Sequence, residues 1–285
     1  MLGQYYKEKL ILTNKTAFKE NDKASLSVFI SQSSFIFVIT NQNFGVIHQL
    51  CQIELINLPG GGNLTEKIGF LINNYQLTQK KFEKIIISIL SKDFTIVPES
   101  YSDAIEIKEL LTFSTGLSEI KNPHFHTINN INFCYSFDQE LIQNLEKTFA
   151  QAINKHSGAI NIELLFSNHS LINCDLFLII NDGLIEIAAK SNNNLLFYNV
   201  FSFENNEDVL YYLLFMMEQF SLNPLSTRLL IGGQVQTNDS LIISIKKYIK
   251  HVEFVVHNSN LKLEGELNKL PHHFYFTLLN QYLCV

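Results

Sequence analysis

The sequence predicts an α/β protein of two similar lobes, each built on a mixed sheet. Short β-branched and aromatic runs alternate with stretches of helical periodicity along the whole chain. Their order, a strand meander followed by helix, strand, helix and strand, can be read twice. The 285 residues, 46% of them hydrophobic and 17% charged, also supply apolar material for two domain-sized units. An N-terminal lobe is expected over 1–136 and a C-terminal lobe over 137–267, with 268–285 packing back across the first.

The opening hairpin is expected from Leu26 to Ile39 around a Ser31-Gln32-Ser33-Ser34 turn, and a third strand follows from Gly45 to Leu55. The Pro59-Gly60-Gly61-Gly62 loop leads to Asn63, with Glu66 three residues on, a capping signature for a helix to about Asn74. Lys84–Leu90 and Phe94–Val97 read as strands, and Pro98 and Glu99 as the start of a helix to about Thr112. Two strands are expected from His124 to Ser136. A helix then begins at Asp138, with Leu141, Ile142, Leu145, Phe149 and Ile153 on the 3.6-residue period.

In the second half Ile160–Phe166, Leu176–Ile180, Ile185–Lys190 and Leu195–Phe203 read as a meander, with turns at Asn181-Asp182-Gly183 and Ser191–Asn194. A helix over Glu207–Phe220 is apolar on nearly every side, so it is buried or lies in an interface. A strand at Leu229–Gly232, a helix at Asp239–Ile249, a strand at Val252–Val256 and a terminal helix within Pro271–Val285 complete the reading.

Composition excludes several function classes. The net charge is -6 and Arg228 is the only arginine, which argues against nucleic acid, because phosphate binding runs on clustered cations. Lys246, Lys247 and Lys250 fit a solvated helix face. The most apolar stretch, Leu171–Ala189, is interrupted by Asp175, Asp182 and Glu186, so no membrane insertion is expected. Charges near the N-terminus and four dispersed cysteines, Cys51, Cys134, Cys174 and Cys284, fit a cytoplasmic protein with buried thiols.

Two mixed-sheet lobes facing each other make the cleft architecture of the actin, sugar-kinase and Hsp70 class. Leu26-Ser-Val-Phe-Ile30, Phe94-Thr-Ile-Val-Pro-Glu-Ser100, Asn199-Val-Phe-Ser-Phe203 with the Glu207–Phe220 helix, and Tyr248-Ile-Lys-His-Val-Glu-Phe254 resemble a Bacteroidota family of unknown function. The most specific block is Tyr198–Pro224. The resemblance implies an actin-like ATPase fold of duplicated ribonuclease-H-like domains. A more distant likeness to actin-like proteins of pilus assembly and secretion implies protein–protein scaffolding.

An ATPase of this class needs an acid and glycines in each lobe's first hairpin, to hold Mg²⁺ and let backbone amides reach phosphate. The first pattern falls on Phe29-Ile30-Ser31 and the second on Ile179-Ile180-Asn181, so both acids are missing. A shift of three residues brings Asp182 toward the cleft, although Asn-Asp-Gly is also an ordinary hairpin turn. The adenosine-side glycines survive as Gly232 and Gly233, which a tight connection also requires without any ligand. Gly232, Gly233 and Asp182 are therefore the candidate contacts for ATP or ADP.

No Gly-Lys-Ser/Thr follows the Gly60–Gly62 loop. His124 with His126, and His272 with His273, have no third ligand at metal spacing, so no catalytic or metal residue is assigned. The chain reads as a non-catalytic scaffold with an unknown protein partner; the alternative is a degenerate nucleotide binder. A scaffold should have its cleft filled by side chains such as Phe29, whereas a nucleotide binder should leave space beside Gly232.

Overall fold

In the computed structural model the described residues are 7–13, 23–41, 45–55, 62–101, 103–117, 120, 122–167, 176–181, 183–191, 194–257 and 261–284. The opening hairpin forms as expected, from β2 (Ala24–Ile30) and β3 (Ser34–Asn41), and β4 (Val46–Glu54) pairs with β3. An additional strand, β1 (Lys7–Thr13), lines the outer edge of β4. Asn63 caps α1 (Leu64–Asn74) by accepting from the Glu66 amide at 2.9 Å. β5 (Phe82–Ile89) and β9 (Ala152–His156) then add in parallel, giving a six-stranded sheet in the order β1-β4-β3-β2-β5-β9. β9 belongs to this first sheet although it lies beyond residue 136.

The second sheet repeats the plan. β10 (Leu176–Asn181), β11 (Leu184–Ser191) and β12 (Asn194–Ser202) form the meander, and β13 (Arg228–Gly233) and β14 (His251–Phe254) add in parallel, in the order β12-β11-β10-β13-β14. α5 (Asn206–Gln219) corresponds to α1, and α6 (Ser240–Tyr248) to α3 (Gln139–Thr148). The last helix of each half, α4 (Ser157–Ser167) and α7 (Phe276–Asn280), also correspond. Between β5 and α3 the first half carries an insertion: β6 (Phe94–Pro98), α2 (Ala104–Thr115), β7 (His124–Ile128) and β8 (Ile131–Tyr135). Its three strands form a small antiparallel sheet.

Three expectations are corrected. Ile160–Phe166 is helix α4 rather than strand: nearly every residue from Ser157 to Leu165 is buried, so the run lacks the amphipathic period that separates helix from strand. Pro98 and Glu99 do not start a helix, because β6 runs through Pro98 and Asp103 caps α2 by accepting from the Ile105 and Glu106 amides. The helix from Asp138 ends at Thr148, and Ile153 lies in β9.

Strand alternation separates two faces on each sheet. On the outer face of the first, Leu26, Val28 and Ile30 pack with Leu71 and Leu145 of α1 and α3. On the outer face of the second, Leu176, Leu178 and Ile180 pack with Leu213 of α5 and Ile242 of α6. The two inner faces meet in a third cluster, shared by both lobes and containing residues of α4 and α7.

Candidate functional site

The seam between the lobes is where the fold class puts its cleft. Phe29 and Ile36 from the first sheet, Phe177, Ile179 and Leu230 from the second, and Phe276 of α7 share one apolar cluster, with Phe29 only 4% exposed. Phe276 meets Phe177 edge-on at 5.7 Å between centroids. Polar contacts cross the seam too. Gln52 on β4 donates to Gln234 Oε1 at 2.7 Å and accepts from the Tyr275 hydroxyl at 2.6 Å, while Thr277 donates to Asn161 of α4 at 2.7 Å. Gln281, just past α7, donates to the carbonyls of Val28 and Ile86, so the C-terminal segment packs back across the first sheet.

The tip of the first hairpin is turned on itself. Ser31 Oγ accepts from the Ser33 and Ser34 amides at 3.3 and 3.0 Å, which directs those donors away from any anion at the tip. Beside it lies a cavity of about 380 Å³ at the carboxyl ends of β2 and β5, closed on the far side by Leu184 and Ser202. Lys92 crosses it to donate to Ser202 Oγ at 2.6 Å, and Asp138 is occupied in capping α3. Half-buried Asp93 also lines the cavity, and burial raises its carboxyl pKa.

The glycine pair is held by packing. A Cβ on Gly232 would lie 2.6 Å from Ile179 Cδ1 and 2.9 Å from Val255 Cγ2. Gly233 has φ +95°, and a Cβ there would lie 2.0 Å from the Ile180 carbonyl oxygen. Its amide donates to His273 O at 2.9 Å, and the Gln234 amide to Ile180 O at 2.7 Å. Both glycines are buried against β10 and the segment before α7. Asp182 lies outside the described residues, as do Gly60 and Gly61; next to Asp182, Gly183 has φ +71°, the conformation a tight hairpin turn needs.

The acid that the structure does place at the seam is Glu186 on β11. Its carboxylate accepts from the Tyr198 hydroxyl at 2.6 Å, Asn161 Nδ2 at 2.7 Å, Asn181 Nδ2 at 3.2 Å and Ser157 Oγ at 3.3 Å. Burial raises its pKa, and the hydrogen bonds from Tyr198, Asn161, Ser157 and Asn181 oppose that rise. The Tyr198 hydroxyl occupies the space over Gly158, where a Cβ would approach it to 2.4 Å. Wrapped in donors and outside the lining of the cavity beside Asp93, this carboxylate ties β10, β11, β12 and α4 together.

The histidines are similarly engaged. His126 bonds to Tyr135 Oη at 2.9 Å, and its pKa falls to about 4 through burial, then the charge of Lys155 and of His124. His156, fully buried, accepts from the Gly158 amide at Nδ1 and contacts Ser91 O through Nε2 at 3.1 Å; burial pushes its pKa down to about 3. His272 pairs with His257 at 3.1 Å, and His273 with Val235 O at 2.7 Å. No group of three or more metal-ligating side chains occurs among the described residues.

Residues 13–252 match the model of the family described as "Protein of unknown function (DUF3822)". The chain belongs to the DUF3822 family. No curated protein matches its sequence. The DUF3822 chain is similar to a Bacteroides thetaiotaomicron protein described as having an actin-like ATPase fold and unknown function, with a TM-score of 0.70 at 20% identity over 83% of this chain and 92% of that one. It is also similar to the PilM–PilN type IV pilus biogenesis complex, with a TM-score of 0.57 at 10% identity over 91% of this chain and 98% of that one. The fold is thus the two-lobed actin-like ATPase fold of duplicated ribonuclease-H-like units. Among the described residues of this DUF3822 member, no helix is long and apolar enough to cross a membrane. The three described cysteines are buried, and burial raises the thiols of Cys134 and Cys284 to about 11 and about 12; Cys174 lies outside the described residues.

Sequence reasoning named neither Glu186 nor Asp93 as a site residue. The available signal for Glu186 was a lone charge inside the alternating Leu184–Ala189 run. Asp93 sits in the Ser91-Lys92-Asp93 connection and carries no motif.

Proposed function

We propose that this protein is a non-catalytic member of the actin-like fold, a scaffold or interaction protein that has lost the residues for nucleotide hydrolysis and works through a protein partner in the bacterial cytoplasm. The observation that carries this reading is Phe29, which stands where the acid of an ATPase would be and is sealed into the apolar seam. The self-capped Ser31 turn and the packed Gly232-Gly233 pair support it, since neither offers backbone amides to a phosphate. A partner surface is available on the inserted subdomain, where Ile105 and Phe113 stand 69% and 90% exposed on the solvent side of α2. PilM, of similar fold, is found in a complex with PilN.

The alternative is a degenerate binder of ATP or ADP, for which Gly232, Gly233 and Asp182 would be the contacts; the cavity beside Asp93 favours it by its position at the carboxyl ends of β2 and β5. Calorimetric titration with each nucleotide and Mg²⁺ separates the two. The scaffold reading expects no saturable binding tighter than about 1 mM. Micromolar binding that weakens in Asp93→Asn would overturn it.

A further inference from the structure

At the opposite end of the first lobe the inner face changes character. Strand pairing sets three rows on it: Thr40, Ser25 and Lys84, then Val38, Ser27 and Ile86, then Ile36, Phe29 and Ser88. The face sealed into the seam at Phe29 thus carries hydroxyls in the two rows nearer the starts of β2 and β5. Ser88 Oγ, in the row with Phe29, donates to Val28 O at 3.1 Å. The hydroxyls of Ser25, Ser27 and Thr40 make no hydrogen bond among the described residues.

These three residues line a cavity of about 440 Å³ that shares no residue with the one beside Asp93. Its other wall is Leu278 and Leu279 of α7, Tyr282 just beyond, and Leu261. Lys84 is the only charged residue of the lining, and its ammonium is already engaged: it donates to Tyr282 O at 3.3 Å and has a further interaction besides. The polar groups left for a ligand are therefore neutral hydroxyls, each able to donate and to accept. Room for about a dozen waters, mainly aliphatic walls and a few polar groups on one side are the ordinary makeup of a small-molecule site.

We propose that this cavity binds a small uncharged molecule with an aliphatic body and a hydroxyl at one end, of the kind of a medium-chain alcohol. The ligand hydroxyl lies among Ser25, Ser27 and Thr40, and its chain against Ile86, Leu278 and Leu279. A ligand hydroxyl brings one donor and two acceptor lone pairs, which matches a set of groups that themselves do both. A charged head group would give up its water with no free opposite charge to meet, a cost that neutral hydroxyls do not offset. A bare hydrocarbon would strip water from the three hydroxyls and leave them unpaired. The inference goes beyond the reading of the seam and does not rest on it, because the two cavities have separate linings.

The test is calorimetric titration of the full chain with octanol, and with octanoate as the charged comparison. Saturable octanol binding tighter than about 1 mM is expected, with octanoate about tenfold weaker or more. The near-isosteric Thr40→Val, and Ser25→Ala, should each weaken octanol about two- to tenfold while thermal unfolding stays close to wild type. Ser27→Leu, which fills the cavity, should abolish binding; if that variant does not fold, Thr40→Val and Ser25→Ala decide alone. Absence of saturable octanol binding to the wild type overturns the proposal. So does octanoate binding as tightly as octanol, or octanol binding that Thr40→Val and Ser25→Ala leave unchanged.

Discussion

Replacing Glu186 with alanine removes the acceptor shared by Tyr198, Asn161, Asn181 and Ser157, and leaves their donors facing each other in a dry seam. A buried donor without a partner costs roughly 1–3 kcal/mol, partly recovered as neighbours rearrange, so the expected loss is about 3–5 kcal/mol. Tyr198→Phe deletes only the 2.6 Å bond and should cost about 1.5–3 kcal/mol. Because both act on one network, the double variant should cost less than the sum, with a coupling of about 1–2 kcal/mol. Urea unfolding followed by circular dichroism measures all three. A Glu186→Ala loss under about 1 kcal/mol, or additive variants, would refute the account of this carboxylate as the tie between the lobes. The pH dependence gives an independent check. Burial raises the folded-state pKa above the ordinary 4.5, so protonation favours the folded protein. That stabilisation is fully present below the ordinary value and is lost as the pH rises through the raised one. Glu186→Gln cannot titrate, so its deficit relative to wild type should widen as the pH is lowered from 8 toward 5.

Other substitutions probe the seam and the surface. Gly233→Ala should cost about 3 kcal/mol or more in thermal or urea unfolding, because positive φ is combined with a collision on the Ile180 carbonyl. Gly183→Ala has a similar φ but open space around it, and should cost only about 1 kcal/mol. Phe29→Ala should lower stability by about 3–5 kcal/mol in the same assay, since it opens a void between the lobes rather than a ligand site. Ile105→Ser with Phe113→Ser should move stability by no more than about 0.5 kcal/mol per site, and a larger loss would show that this face of α2 is packed in the isolated protein.

Elements with a local signature were legible in the sequence. The β2–β3 hairpin, α1 with its Asn63 cap and α5 announced themselves through turns, caps and alternation, and the repeated order of elements led to the two-lobed fold. α4 was hidden because the run through Ile160 is apolar on all sides, so its period was erased by the burial that makes it central, and β9 because Ile153 continues the 3.6-residue period of the helix before it. At the candidate site the glycine pair was visible but the reason for it was not, because Ile179, Ile180 and Val255 reach Gly232 and Gly233 only in the folded chain. Glu186 was visible as a misplaced charge, yet its partners Ser157 and Asn161 are more than twenty residues away in sequence. The cavity beside Lys84 could not be read at all, because its second wall arrives with α7.

The paired position of α4 and α7 has a consequence for motion. Proteins that turn binding into movement by swinging two lobes need a hinge line that solvent can enter and leave at low cost. Here the helix closing each half lies in the middle layer, and parting the lobes would wet Phe29, Phe177 and Phe276 at once. Amides along β2 and β10 should therefore exchange with solvent only in the largest openings of the molecule, and a regulatory signal would have to travel by changing what docks on the outside rather than by opening and shutting the middle.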